Sequence, residues 1–151
     1  MAPAASSYKA TFKVGHGCGP SATRQLSVAI PDGVSGARPM PKPGWTVAVE
    51  RAPLAKPVSS HGRTLTDRVA RITWTARTPA DALPSDQYDE FVLVAQLPAQ
   101  AGTLHWPVSQ VCEQGRTDWT QVLQPGQPAS ELQQPAAALE ILPAAGGGHR
   151  H

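Results

Sequence analysis

Glu90 is the first residue in this sequence whose surroundings point to chemistry. On a β-strand it would share one face with Tyr88, Val92 and Val94. A carboxylate on such a face is costly to bury unless a cation or hydrogen bonds compensate it. A metal ion is one compensating partner. A salt bridge and a position at the exposed end of the strand are the alternatives, and spacing alone favours these two.

Trp119 is the second candidate, because its neighbours within residues 117–121 are all polar. An isolated indole on such a strand could cover a binding site. It could equally belong to a sandwich core, which is the usual place for tryptophan and the one we expect for Trp45 and Trp74.

The internal histidines, His16, His61 and His105, are too far apart for a local metal motif such as H-x-x-x-H, and each is close to a glycine or proline turn. We expect them to be surface residues. The terminal His149 and His151 could bind a metal adventitiously. The sequence contains no G-x-S-x-G, phosphate-loop, paired-carboxylate or Cys/His nucleophile pattern, so hydrolase and nucleotide-binding functions receive little support.

The sequence has two cysteines, Cys18 and Cys112, which are 94 positions apart. This spacing is unlike the close pairing of zinc or thioredoxin sites. A long-range disulfide is the preferred interpretation, and two buried reduced thiols are the alternative. In the chain-entropy model a loop of this size contributes on the order of 4–5 kcal/mol. A disulfide would indicate an oxidising compartment, either the periplasm or the cell exterior.

The elements that must position these residues are predicted to be strands. Sixteen prolines and thirteen glycines leave few windows for a stable helix, and alternating polarity recurs between turns. The predicted strands are residues 8–14, 25–30, 45–50, 70–76, 87–97, 104–112 and 116–122, with a last candidate at 138–142. The fold class is therefore all-β, an immunoglobulin-like or fibronectin-like β-sandwich of about seven to nine strands.

Five segments of the chain have a more specific prediction. The strand at 87–97 is apolar on both faces beyond Glu90, which is typical of a central strand. The strands at 104–112 and 116–122 are expected to form a hairpin. Residues 31–44 and 51–67 carry prolines and are predicted to be long surface loops, where function often resides.

The length predicts one domain, with residues 1–143 as the sandwich and the Gly-rich residues 144–151 as a flexible tail. Charged residues make up 16% of the chain and the formal net charge is +2. Because the lysines and arginines are dispersed, we expect no nucleic-acid partner. No run approaches the roughly 20 apolar residues of a membrane span. Residues 1–5 lack the features of an export signal.

Several segments are informative because of their order. They are residues 7–14 followed by His16, Gly17 and Cys18; residues 27–33, 42–45, 61–66 and 88–91; Pro107 with Gln110; Cys112 with Glu113; and Trp119. Over about residues 7–143, this ordered set resembles the YcnI-like copper-binding domains. No single piece is diagnostic, and the specificity comes from the set.

The resemblance implies a periplasmic or extracellular domain that binds Cu(II) through a mature N-terminal histidine, with Glu90 as the carboxylate ligand. Nitrogen and carboxylate donors in a tetragonal array suit Cu(II). Trp119 matches the tryptophan beside the copper, where an indole could exclude water or offer its π face to the cation. The resemblance also implies that Cys18 and Cys112 pair, and that the natural protein continues into a membrane anchor.

The sequence departs from the family pattern at residues 1–7, which contain no histidine. Either the start codon was misassigned or the chain was trimmed. We expect this polypeptide to bind copper weakly or not at all, and a processed chain that begins with histidine to recover binding.

The leading hypothesis for function is a non-catalytic module that holds or passes on Cu(II), with copper-transport or copper-chaperone proteins as partners. The second hypothesis is a structural or interaction sandwich without a physiological metal. The third is a copper redox enzyme, for which the sequence offers neither a second brace histidine nor an aromatic binding plane.

Overall fold

The computed structural model describes residues 1–60, 62–122, 134 and 136–143. Within these ranges the chain forms β-strands and one 3-10 helix, Pro79–Asp81. In chain order the strands are β1 (Ala2–Pro3), β2 (Ser7–Val14), β3 (Thr23–Ala29), β4 (Ser35–Pro39), β5 (Trp45–Ser60), β6 (Arg63–Ala76), β7 (Asp89–Gln96), β8 (Gly102–Trp106), β9 (Val108–Cys112), β10 (Arg116–Trp119) and β11 (Ala137–Leu142). The predicted all-β fold is confirmed.

The strands form three sheets. The largest has five strands in the order β10-β9-β3-β6-β5, and the facing sheet has three in the order β2-β7-β4. A second three-stranded sheet has the order β1-β11-β8. Neighbouring strands are antiparallel except for β1 and β11, which are parallel. Strand β7 lies between β2 and β4, which confirms the prediction of a central strand at 87–97.

The core lies between the five-stranded sheet and β7. Alternate residues of β7 point inward, so Phe91 and Leu93 are almost fully buried. The rings of Trp45 and Trp74 meet Phe91 edge-on, with centroid distances of 5.2 and 5.6 Å, a geometry that aromatic pairs prefer. The indole N–H of Trp74 donates to the carbonyl of Met40 at 3.0 Å. The core positions predicted for these two tryptophans are confirmed.

The prediction of a long loop at residues 51–67 was wrong. Strands β5 and β6 continue as a paired ribbon, with Arg51 opposite Val69 and Ser59 opposite Thr64. Pro53 and Pro57 do not break β5 because it is an edge strand of its sheet, where a missing N–H need not cost a ladder hydrogen bond. Residues 31–44 are also not wholly a loop, because they contain β4, which pairs with β7.

The predicted strand at 104–112 is divided at Pro107 into β8 and β9, which belong to different sheets. Proline has no N–H to continue the ladder, so the chain changes sheets there. The predicted hairpin of β9 and β10 is confirmed, with the N–H of Cys112 donating to the carbonyl of Gly115 at 2.9 Å. The predicted tail at 144–151 lies outside the described residues. No helix within the described ranges has the length and apolarity needed to cross a membrane.

Candidate functional site

A cleft of about 290 Å³ opens where the end of β2, the β9–β10 hairpin and the start of β11 meet. We call it the Trp119 cleft; Phe12, Val14, Leu26 and Val108 supply its apolar lining, and Lys13, His16, Gln110, Trp119 and Ala137 also line it. Most of these positions come from different strands. The cleft therefore exists only in the folded protein and cannot be read as a local motif.

Trp119 ends β10 opposite Val108 and is half-buried. Its ring packs against the core cluster and also lines the cleft. The ring therefore lies both against the core and at the cleft. The indole N–H donates to the side-chain oxygen of Gln110 at 3.1 Å, which fixes the ring's orientation.

Gln110 is the buried polar residue that organises this region, with 2% of its surface exposed. Its amide nitrogen donates to the carbonyl of His16 and to the hydroxyl of Thr23, both at 2.8 Å. Its amide oxygen accepts from Trp119. Both amide hydrogens and the oxygen are thus used, as a buried amide requires. The sequence singles out Gln110 only as part of the family resemblance. A usable signal was its inward position on β9, between Val108 and Cys112.

The loop of residues 15–22 forms one rim of the cleft. Cys18 and Cys112 form the predicted disulfide, with their Cα atoms 6.0 Å apart. Cys18 and Ser21 exchange backbone hydrogen bonds of 3.2 and 3.1 Å. Gly17 has no room for a side chain, because a Cβ there would lie 1.8 Å from the carbonyl oxygen of Ser21. The loop is therefore held to β9 and closed on itself.

His16 is exposed, as predicted, but it is not an ordinary surface histidine. Its ring lies edge-on to Trp119 with centroids 6.1 Å apart, and its Nδ1 is 2.9 Å from the carbonyl oxygen of Gly17. His16 and Trp119 are 103 positions apart, and no local pattern predicts that they meet. His105 is half-buried on β8, and His61 lies outside the described residues.

Glu90 is the second residue of β7 and is half-buried. The hydroxyl of Tyr88 donates to its carboxylate, and this contact raises the pKa of Tyr88. The salt bridges among the described residues are Lys42–Asp89, Arg51–Asp67, Arg68–Asp32 and Arg116–Asp118, and none includes Glu90. The sequence left two alternatives to a metal ion. Among the described residues Glu90 forms no salt bridge, but it does lie near the start of β7.

Glu90 does not line the Trp119 cleft. Its cross-strand partner is Lys13, which does line the cleft. Opposed Cα atoms in antiparallel strands are about 4.5–5.5 Å apart, so Glu90 lies one strand away from the cleft wall. Within the described residues, no three His, Cys, Asp or Glu side chains form a group that could hold a metal ion.

The amino-terminal strand runs beside the strand that starts at the cleft. In the parallel pair of β1 and β11, Ala2 is opposite Ile141, and β11 begins at Ala137 in the cleft wall. In a parallel pair, a residue before Ala2 that kept this register would lie opposite a residue of β11 between Ala137 and Ile141. The ladder ends at Ala2, and Met1 before it is exposed and outside the strand.

The model of the family described as "Domain of unknown function (DUF1775)" matches residues 1–141. The chain belongs to this family. It is the family of YcnI-like copper-binding domains, as the resemblance predicted. The chain is also similar to a solved structure described as an uncharacterized protein from Nocardia farcinica with an immunoglobulin-like fold. The identity is 26% and the TM-score 0.70, with 95% of this chain and 92% of that chain covered. No curated protein matches the chain.

The donors of this DUF1775 domain suit Cu(II) in kind but are too few in number. A carboxylate and an imidazole are donors that Cu(II) accepts in tetragonal sites. Glu90 is a half-buried carboxylate without a salt-bridge partner in the described part of the chain. Because the described residues hold no group of three such ligands, they do not complete a copper site by themselves.

Proposed function

We propose that this domain holds Cu(II) outside the cytoplasm and passes it to copper-transport or copper-chaperone proteins, without catalysing a reaction. Glu90 is the observation that carries the proposal. Its half-buried carboxylate has a phenol as partner and no salt bridge within the described residues. A bound cation would compensate this charge more completely than a phenol does.

The missing donors are proposed to come from a histidine at the amino terminus of a longer, processed chain. Ile141 is opposite Ala2, and Ala137 is four residues earlier on β11. The fourth residue before Ala2 would therefore lie beside Ala137 if the register continued. A terminal amine and imidazole delivered there would lie beside Trp119, and Lys13 of the cleft is the cross-strand partner of Glu90.

The disulfide supports the proposed location. Cys18 and Cys112 are joined, and structural disulfides persist mainly in oxidising compartments such as the periplasm and the cell exterior. This favours a role in copper handling outside the cytoplasm, where Cu(II) rather than a cytosolic thiolate-bound metal is the form to be held.

A copper titration tests the proposal. The present chain is compared with a chain extended upstream of Ala2 so that its mature first residue is histidine. We expect the extended chain to bind one Cu(II) tightly with a tetragonal electron-spin-resonance spectrum, and the present chain to bind weakly. Glu90→Gln should weaken binding in the extended chain by at least roughly 10–100-fold, the range for loss of an outer-shell partner, because Glu90 is proposed as a direct ligand.

Glu50→Gln is the matched control, because Glu50 lies on the outer face of β5, in a different sheet. It should leave copper affinity unchanged. Equally tight binding by the present and extended chains would refute the role of the terminal histidine. An unchanged affinity in Glu90→Gln would refute the role of the carboxylate.

A structural or interaction module without a physiological metal is the second candidate. It is favoured by the lack of a three-ligand group among the described residues. A spectrum without a defined Cu(II) centre in the extended chain would support this second candidate.

A further inference from the structure

A groove lies at the edge of the sandwich opposite to the Trp119 cleft. The five-stranded sheet runs from β10 to β5, and the facing sheet runs from β2 to β4. The edge strands β2 and β10 line the Trp119 cleft, whereas β4, β5 and β6 line a groove of about 590 Å³. We call it the β4–β5 groove. It is separate from the cleft, and its volume is in the usual range for a small-molecule site.

Five apolar side chains line the β4–β5 groove: Val34, Ala37, Leu54, Leu65 and Val69. Val34, Ala37 and Val69 are buried, but Leu54 is only half-buried and Leu65 is 36% exposed. The two leucines therefore present apolar surface to water inside a concave site. An apolar chain that covered them would gain the free energy of removing that surface from water.

Three arginines and one aspartate line the same groove. Arg51 pairs with Asp67 at 2.9 Å, and Arg68 pairs with Asp32 at 3.3 Å. Arg38 is exposed and forms no salt bridge with any residue that the structure describes. Arg38 therefore leaves an uncompensated positive charge beside the apolar lining. A guanidinium binds a carboxylate through two parallel N–H···O bonds.

The strands that border the groove are poorly suited to accept another strand. β4 has five residues and an irregular register between Ser35 and Arg38, and β5 contains Pro53 and Pro57. Short strands, bulges and prolines all prevent a sheet edge from pairing with a further strand. An occupant is therefore expected to be held by an apolar body and a negative charge, without a ladder of backbone hydrogen bonds.

We propose that the β4–β5 groove binds a free alkyl carboxylate, with its hydrocarbon chain against Leu54 and Leu65 and its carboxylate on Arg38. The chain supplies affinity through buried apolar area, and the guanidinium fixes the orientation. Asp67 does not oppose this arrangement, because Arg51 compensates its charge. The proposal goes beyond copper handling and does not depend on it.

The experiment titrates hexanoate, octanoate and decanoate into the ¹⁵N-labelled chain at neutral pH, each below its micelle concentration. The amide signals of β4, Leu65 and Val69 should shift in a saturable way. Affinity should rise by roughly two- to fourfold with each added CH₂ group, as expected when the chain is buried. Octanol and octyltrimethylammonium, which lack the negative charge, should bind more weakly than octanoate.

Two variants separate the head group from the chain. Arg38→Gln should lower octanoate affinity by roughly three- to tenfold and remove its advantage over octanol. Leu65→Ser should reduce the gain in affinity from octanoate to decanoate. Arg77→Gln is the matched control, because Arg77 is exposed, follows β6 and does not line the groove; it should leave octanoate affinity unchanged.

Both variants are expected to fold normally, since Arg38 and Leu65 are exposed, and an unchanged thermal midpoint checks this. Shifts scattered outside the groove, equal binding of octanol and octanoate, or an unchanged octanoate affinity in Arg38→Gln would overturn the proposal. Binding to phosphatidylglycerol vesicles without a shift by decanoate would assign the groove to a membrane surface instead. Groove signals that shift on dilution of the protein alone would assign it to a second copy of the chain, and either result also overturns the proposal.

Discussion

The loop of residues 15–22 and the ribbon of residues 51–60 and 62–67 are both rich in turn-forming residues, yet they are held in different ways. The loop is fixed by a disulfide, by the paired backbone bonds of Cys18 and Ser21 and by the buried amide of Gln110. The ribbon is held by the ladder between β5 and β6 and by the exposed ion pair of Arg51 and Asp67, at 2.9 Å.

The difference shows that the loop is more strongly constrained than the ribbon. A long-range disulfide stabilises a fold far more than an exposed ion pair does, and leaving a buried amide without its partners costs more than losing such a pair. Both lie at the rim of the Trp119 cleft. Substitutions in the loop should therefore disturb both stability and the cleft, while substitutions in the ribbon should disturb neither by much.

Loss of the disulfide is the change with the largest expected effect. Replacing Cys18 and Cys112 together by alanine should lower the free energy of unfolding by about 2–5 kcal/mol, because the unfolded chain regains the entropy that the cross-link removes. Urea denaturation measures this difference. Indole ¹⁵N–¹H spectra should also show a shifted Trp119 signal, since the loop that carries His16 is released.

The double variant of Ser59 and Thr64, both to alanine, is the control in the ribbon. These residues are opposed on β5 and β6, and their exposed side chains should contribute little. A disulfide variant no less stable than this control would show that the loop is not specially constrained.

Much of the sandwich could be predicted from single strands, because burial there follows local alternation. Residues 8–14 alternate inward and outward, and the structure buries Ala10, Phe12 and Val14 as that pattern requires. The disulfide could also be predicted, since two cysteines 94 positions apart do not fit the close pairing of a zinc or thioredoxin site. Both signals are contained in short stretches or in composition.

The ribbon and the cleft could not be predicted in the same way. Prolines in residues 51–67 indicate a loop unless one knows that β5 is an edge strand. The meeting of His16, Gln110 and Trp119 depends on how two sheets are placed against each other, which no local pattern encodes. For the same reason the sequence could not show that Glu90 lies one strand outside the cleft wall.

Two glycine substitutions, one in the loop and one in the ribbon, are expected to have effects of intermediate size on the free energy of unfolding. Gly17→Ala puts a Cβ 1.8 Å from the carbonyl oxygen of Ser21, so the loop backbone must move. We expect a loss of about 2–3 kcal/mol in the free energy of unfolding, the upper part of the range for overpacking. Gly62→Ala, in the ribbon turn, meets no atom within 4 Å but has a φ of +77°. It should cost about 1 kcal/mol, from left-handed strain alone.

The same two variants report on the cleft. Gly17→Ala should shift the Trp119 indole signal, and Gly62→Ala should leave it unchanged. Equal losses of stability, or a shift of that signal in Gly62→Ala, would mean that the loop and the ribbon are not constrained differently.

The smallest effect is expected from two exposed ion pairs, one in the ribbon and one in the β9–β10 hairpin to which the disulfide ties the loop. Arg51 lowers the pKa of Asp67 in the ribbon, and Arg116 lowers the pKa of Asp118 in the hairpin beside the cleft. An acid whose pKa is lowered in the folded state stabilises the fold above its unfolded value, 3.8 for these groups, and loses this contribution as pH falls through the folded value. Asp67→Asn and Asp118→Asn should each be slightly less stable than the parent chain at neutral pH. Both differences should vanish well below pH 3.8 and shrink in high salt.

Urea midpoints for the two variants and the parent chain, measured at neutral pH and well below pH 3.8, check this expectation. Because both pairs are exposed, we expect the two variants to behave alike although one pair lies in the ribbon and the other beside the cleft. That result would assign the difference between the two regions to the disulfide and the buried amide rather than to surface charge. A markedly larger pH-dependent loss in Asp118→Asn would instead show that charge also helps to hold the hairpin that carries Trp119.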